Sequence, residues 1–201
     1  MKKRLVSLVL LASMVMGLSG CAGKGYSDKK LVKYAEKELN LEEIDAKKAQ
    51  KKIDNMKKQD YYFYADAKET KKLLWESVEI DDYFAKPKGV ESSVAVITGE
   101  PNELVELAII ITFDSSDNAI KFMENSADFW DEDVEWEDYY IDKNNEVMAG
   151  YYEDPYGLNL IAGAYQKGNT VLLVIGASDD DFETIEGVCE EFNVEYVEDL
   201  L

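Results

Sequence analysis

The sequence predicts an α+β fold: N-terminal amphipathic helices followed by a mainly antiparallel sheet with packed helices. Three observations carry this. After residue 92, apolar runs of strand length are joined by links of hairpin length, and links that short make neighbouring strands antiparallel. Stretches with apolar residues three and four apart stand before, within and after that strand-rich region. The chain has 201 residues. Without an N-terminal signal about 180 remain, enough for one core that buries roughly 70% of the unfolded surface.

The elements follow in order. Lys2, Lys3 and Arg4 precede an apolar run from Leu5 to Met16. A spanning helix needs roughly 20 residues, so this shorter run reads as the h-region of a secretory signal. Leu18-Ser19-Gly20-Cys21 comes next. Here the chain resembles the lipobox of bacterial lipoproteins, in which the signal is cleaved before the cysteine and the thiol is diacylated. The resemblance covers the first 21 residues and implies acyl chains, palmitate among them, on Cys21. It also implies a place on the extracytoplasmic face of the cell membrane. Residues 1–20 are then a signal peptide, and 21–27 a lipidated cysteine with a short tether. The later part loosely resembles small bacterial surface lipoproteins of helix-then-sheet order, a likeness that carries no active-site motif.

Residues 28–60 form a helical arm, rich in Lys, Glu, Ala and Leu and without Gly or Pro. Leu31, Tyr34, Ala35 and Leu39 make one apolar stripe; Ile44, Ala49, Ile53 and Met56 make another after a break near Asn40. Residues 61–201 are the acidic α+β domain. Tyr61–Tyr64 reads as a short strand, and Asp66-Ala67-Lys68-Glu69 has the capping-box spacing for a helix to Glu76. Pro87 and Gly89 mark 81–91 as a loop and a candidate seam. Val94–Thr98 and Leu104–Phe113 flank the turn Gly99-Glu100-Pro101-Asn102. Leu107–Ile111 is apolar on both faces, so it belongs inside a sheet covered on each side. Ser115 and Ser116 offer caps to a helix with the stripe Ile120, Met123, Ala127 and Trp130. Val134–Ile141 turns at Asn144-Asn145 into Val147–Tyr152, and Leu158–Tyr165 turns at Lys167-Gly168-Asn169 into Val171–Ile175. A last helix runs from caps at Ser178 and Asp179 to Phe192, and Val194–Val197 adds a short strand.

Composition excludes several functions. Twenty-two basic residues against 42 acids give a net charge of −20, which argues against nucleic acid as a partner. The absence of histidine removes Ser-His-Asp and Cys-His catalysis and His-ligated zinc. The charge is unevenly spread. Residues 22–90 hold 16 lysines and 14 acids, while residues 91–201 hold 3 lysines and 28 acids. Lys24, Lys29, Lys30 and Lys33 would lie beside an anionic lipid surface, with the acidic domain directed away from it. With Cys21 acylated, Cys189 is the only thiol, and its neighbours Phe182, Ile185 and Phe192 make it a small core hydrophobe.

No phosphate-binding GxxxxGK[ST] or GxGxxG pattern is present, no cofactor is implied, and neither a catalytic residue nor a metal ligand stands out. Asp142, Asn144, Glu146 and Glu153 fall at EF-hand ligand spacing. Val147 occupies the position that needs glycine, so the segment reads as a hairpin turn. The 13 tyrosines include the doublets Tyr61-Tyr62, Tyr139-Tyr140 and Tyr151-Tyr152, and strand alternation exposes one of each. Aromatic rings beside acids can anchor a peptide or stack on a sugar. The candidate ligand contacts are therefore Trp136, Tyr140 and Tyr152 with Glu135, Glu137 and Asp138. The reading is a lipid-anchored, non-catalytic binding or accessory module for a basic protein or peptide. Its alternatives are a small cell-envelope glycan hydrolase using paired carboxylates and a weak Ca²⁺-binding surface protein.

Overall fold

Helices before and after the strand-rich region sandwich one eight-stranded sheet. The computed structural model describes residues 25–55, 57–78, 80–99, 106–132, 134–142, 144–153, 159–178 and 182–201. The elements are α1 (Asp28–Lys37), β1 (Glu42–Glu43), α2 (Ala46–Ile53), β2 (Tyr61–Asp66), α3 (Ala67–Thr70), β3 (Val90–Thr98), β4 (Glu106–Phe113), α4 (Ser116–Glu132), β5 (Asp138–Ile141), β6 (Val147–Glu153), β7 (Asn159–Lys167), β8 (Thr170–Ser178), α5 (Glu183–Phe192) and α6 (Val197–Leu200). The sheet order is β1-β2-β3-β4-β8-β7-β6-β5. Every neighbouring pair is antiparallel except β1 with β2, which α2 joins as a crossover.

The two-sided apolar run marks the centre. Leu107 to Ile111 are all at most 1% exposed, and β8 lies beside them with Val171 to Val174 fully buried. Alternation sends Phe63, Ile109, Ile111 and Leu173 to one face, where α2, α3 and α4 cover them. Tyr62, Ile110, Leu172 and Val174 go to the other, under α1, α5 and α6. The helical arm is thus part of the core rather than an appendage. Leu31 and Ala35 are fully buried on one face, while Ala49 is fully buried on the other. The break between its helices falls at Asn40, in the left-handed region at φ 53°.

The loop at 81–91 is no seam: β2 and β3 on either side of it are hydrogen-bonded partners, and Phe84 within it is fully buried. The capping box forms as its spacing implies, but after Thr70 the backbone widens into a π-helical turn over Lys71–Trp75. Ile120 is 41% exposed. The buried face of α4 instead runs through Ala119, Phe122, Met123, Ser126, Ala127 and Trp130, a second 3,4-spaced register in the same sequence. Residues 194–197 do not form a strand. Val197 opens α6 and is buried over β6 and β7, where no sheet edge is free to pair. Ser178 ends β8 rather than capping a helix, and α5 starts at Glu183 with no side-chain cap; Asp179, the turn at 100–102 and Met56 lie outside the described residues.

Candidate functional site

The sheet order turns a division along the sequence into a division in space. Residues 28–66 supply one edge, with α1, α2, β1 and β2; residues 138–167 supply the other, with β5, β6 and β7. The charge therefore runs across the strands, from a lysine-rich edge where 10 lysines nearly balance 9 acids over residues 28–66 to an acidic one where 5 acids outnumber 2 lysines over residues 138–167.

The predicted contacts gather near the acidic edge but not on one surface. Glu135 and Glu137 are exposed on the approach to β5, and Glu137 donates its N–H to the Tyr151 carbonyl oxygen. Asp138 pairs with Tyr151 and Tyr140 with Ala149, which puts both on the α1/α5/α6 face. Tyr152 shares the parity of Met148 and Gly150, on the opposite face. Trp136 is turned inward and does not belong to an exposed patch. Its ring centroid lies 4.8 Å from Trp130 and 6.1 Å from Tyr83, and its indole covers Gly150. Only a glycine lets the ring come this close to the strand. The tyrosine doublets differ for a related reason. Tyr61 and Tyr62 are both buried because β2 is covered on both faces. Tyr139 and Tyr140 are both exposed because short β5 is the last strand, beyond the helices.

Tyr140 does line a cleft, with partners from distant parts of the chain. A cavity of about 390 Å³ opens between Tyr140, Asp142 and Glu146 on one side and Tyr26, Asn193 and Glu195 on the other. Tyr165 forms its inner wall, and its hydroxyl donates to the Glu195 carbonyl oxygen at 2.6 Å. Burial pushes the Tyr26 hydroxyl up to about 12, so this rim offers a neutral phenol. The Asp142 carboxylate accepts N–H bonds from Asn144, Glu146 and Val147, which ties up its oxygens in the turn. Glu153 stands six residues further along β6, about 20 Å away at strand rise, so an EF-hand loop does not form. Among the described residues no three His, Cys, Asp or Glu side chains converge on a metal position. Glu146 and Glu195 leave the cleft acidic, suited to a cationic group that stacks on a phenol ring. The pattern of residues 138–152 pointed to Tyr140; Tyr26 and Glu195 had no local signal, because only tertiary folding brings them there.

Cys189 is 1% exposed, and burial pushes its thiol up to about 12. That agrees with a core role and removes a reactive thiol from the site. Among the described residues no helix is long and apolar enough to cross a membrane.

No protein-family model matches the sequence, and no curated protein matches it. Among solved structures the chain is similar to the extracellular domain of PknH from Mycobacterium tuberculosis. The TM-score is 0.48 and the identity 12%, over 89% of this chain and 98% of that one.

Proposed function

We propose that the protein is a lipid-anchored, extracytoplasmic binding or accessory module. Cys21 carries the acyl chains, and the acidic edge receives a basic protein or peptide. The observation that carries the ligand side is the cleft at Tyr140, where Glu146 and Glu195 stand beside the rings of Tyr26 and Tyr140. Carboxylates beside a phenol ring complement lysine and arginine side chains electrostatically and by stacking; Tyr140 is the exposed ring, while the Lys167 ammonium lies 5.7 Å from the half-buried Tyr26 ring. The anchor rests on the basic start, apolar run and Leu18-Ser19-Gly20-Cys21.

Metabolic labelling with palmitate, followed by membrane fractionation, tests the anchor. Label and membrane association should both disappear in Cys21→Ala, and equal labelling of that variant overturns it. For the ligand side, a tetralysine peptide titrated against the chain from Ala22 onward should bind in low salt. Glu146→Gln with Glu195→Gln should weaken it several-fold, and unchanged binding refutes the cleft.

A further inference from the structure

On the lysine-rich edge, a second and larger cleft of about 620 Å³ opens between α2 and α3. Its two walls have the same design. Lys47 and Lys51 stand four residues apart on α2, and Lys68 and Lys72 stand four residues apart across α3 and the π-helical turn. Like charges at that spacing oppose the helix that carries them, so each wall bears a local cost. Among the described residues none of the four makes an ion pair, although Lys48, Lys58 and Lys86 do. Two carboxylates, Asp66 and Glu69, also line the cleft, so its lysines outnumber its acids four to two, and both acids are tied to backbone N–H groups of the α3 capping box rather than to a lysine. Asp66 accepts the N–H groups of Lys68 and Glu69, and Glu69 accepts that of Asp66. The floor is apolar, from Ala46 and Leu73. Gln50 holds the walls in relation to each other, because its amide donates to Ser77 Oγ at 2.5 Å from the middle of α2.

The place of the cleft narrows the ligand. The described chain starts at Gly25, packed on Thr170 and Lys167 in the β7–β8 turn, with the Tyr26 N–H donating to Thr170 Oγ1 at 2.7 Å. Cys21, the acylated residue of the proposed anchor, is four residues earlier in the sequence. The β7–β8 turn, the C-terminal end of β4 and the C-terminal end of β2 share one end of the sheet. Asp66 and Lys68 are at that end. β2 lies three strands from β8, a lateral distance of about 14 Å.

We infer that the α2/α3 cleft is an anion-binding site for a phosphodiester, and that its source is the headgroup of an anionic phospholipid in the membrane that carries the anchor. Four unpaired ammonium groups over an apolar floor suit a phosphate with a hydrocarbon-linked glycerol. The choice of lipid as the source rests on the reading of Cys21 as the anchor; the anion chemistry of the cleft does not.

The test uses the unacylated chain from Ala22 to Leu201, so that it does not depend on lipidation. Co-sedimentation is measured with vesicles of phosphatidylglycerol and phosphatidylcholine, and with phosphatidylcholine alone, at physiological salt. Binding is expected only to the anionic vesicles. Each lysine near such a surface contributes about 1 kcal/mol, so Lys47→Gln with Lys72→Gln should lower the partition coefficient about 30-fold. The comparison pair, Lys37→Gln on α1 with Lys121→Gln on α4, carries the same charge change outside the cleft and should lower it no more than about threefold. Equal losses from the two pairs overturn the site in favour of a diffuse basic surface. Absence of vesicle binding overturns it as a lipid site, and free glycerophosphoglycerol, a soluble phosphodiester, shifting the cleft resonances would then identify a soluble phosphodiester as the ligand. If the palmitate label fails while the lysine-dependent vesicle binding holds, the anchor falls and this inference stands.

Discussion

Gly150→Ala should destabilise the protein, and the reason is a single ring. A Cβ built on Gly150 falls 2.7 Å from Trp136 Cδ2, 2.8 Å from Cε2 and 3.0 Å from Cε3. Carbon atoms rest at about 3.5–4.0 Å, so the indole must lift by nearly 1 Å. It cannot lift freely, because Trp130 and Tyr83 pack against it and the Trp130 indole N–H donates to the Tyr83 carbonyl oxygen. Overpacking of this kind costs about 1–3 kcal/mol, while alanine returns about 0.5–1 kcal/mol by restricting the unfolded chain. Taking the middle of each range, the net loss is about 1 kcal/mol, which for a domain of this size lowers Tm by about 2–4 °C. Thermal unfolding followed by circular dichroism reads the loss, and tryptophan emission should shift to the red as the ring is displaced. The decisive comparison is the same substitution in a Trp136→Ala background, where the clash is gone and Gly150→Ala should be neutral or stabilising. A coupling below about 0.5 kcal/mol would refute this packing, and so would an unchanged Tm in the parent. That result would return Trp136 to an exposed contact position.

Two further outcomes follow from buried groups. Cys189, with its thiol at about 12, should resist maleimide at mildly alkaline pH in the folded chain from Ala22 onward and react once denatured. The thiolate fraction alone accounts for a difference on the order of a thousandfold, and fast labelling without denaturant would refute the burial. Glu106 accepts the Ile185 N–H at 2.9 Å at the start of α5, and desolvation raises its pKa above the ordinary carboxylate range despite that bond. The native state therefore keeps the proton to higher pH than the unfolded chain does, and stability falls as pH rises from about 4.5 through the raised value. Glu106→Gln lacks this titration, so its denaturation midpoint relative to the parent should rise between acid and neutral pH. A relative fall would reverse the assignment.

The fold was legible where two periodicities and a turn agreed. Leu107–Ile111 marked the centre of a sheet covered on both faces, and Asn144-Asn145 and Gly168-Asn169 marked its hairpins; Asn145 and Gly168 have positive φ as such turns require. Errors came where one sequence satisfied two patterns. On α4, Ile120 and Ala119 each fit a 3,4-spaced stripe, and only the aromatic cluster of Phe84, Phe113 and Phe122 decides for Ala119. Strand alternation assigned a face to Trp136, but the residue precedes β5, and its ring folds back over Gly150 instead. The site was partly legible for a different reason. Tyr140 belongs to a local pattern, whereas its neighbours Tyr26 and Glu195 lie 114 and 55 residues away along the chain. The lysine pairs at four-residue spacing stand on α2 and across α3 and the π-helical turn, and nothing local in the sequence says that the two pairs face one cleft.

The charge division then acquires a mechanical meaning under the proposed anchor. A basic arm at the lipid with an acidic domain beyond it would need the charge axis to run along the strands. It runs across them instead, and the chain meets the sheet near its middle: β2 and β5 each lie three strands from β8. A tether at that position would act as a pivot between a nearly neutral arm, with 10 lysines against 9 acids over residues 28–66 and the lysine-lined cleft beside it, and an acidic arm, each about 14 Å long. Above an anionic bilayer the acidic arm would be repelled and the cleft lysines attracted, so under the proposed anchor the resting position would be a tilt. The α2/α3 cleft comes down onto the headgroups, and the edge with Tyr140, Glu146 and Glu195 swings up. Within a Debye length of about 8 Å at physiological salt the repulsion of the acidic edge is felt strongly, and beyond it hardly at all. The tilt therefore needs only to raise that edge by about one Debye length. If both proposals hold, the lysine cleft and the acidic cleft would serve one function: binding of a phosphodiester on one side would keep the other open to a basic partner.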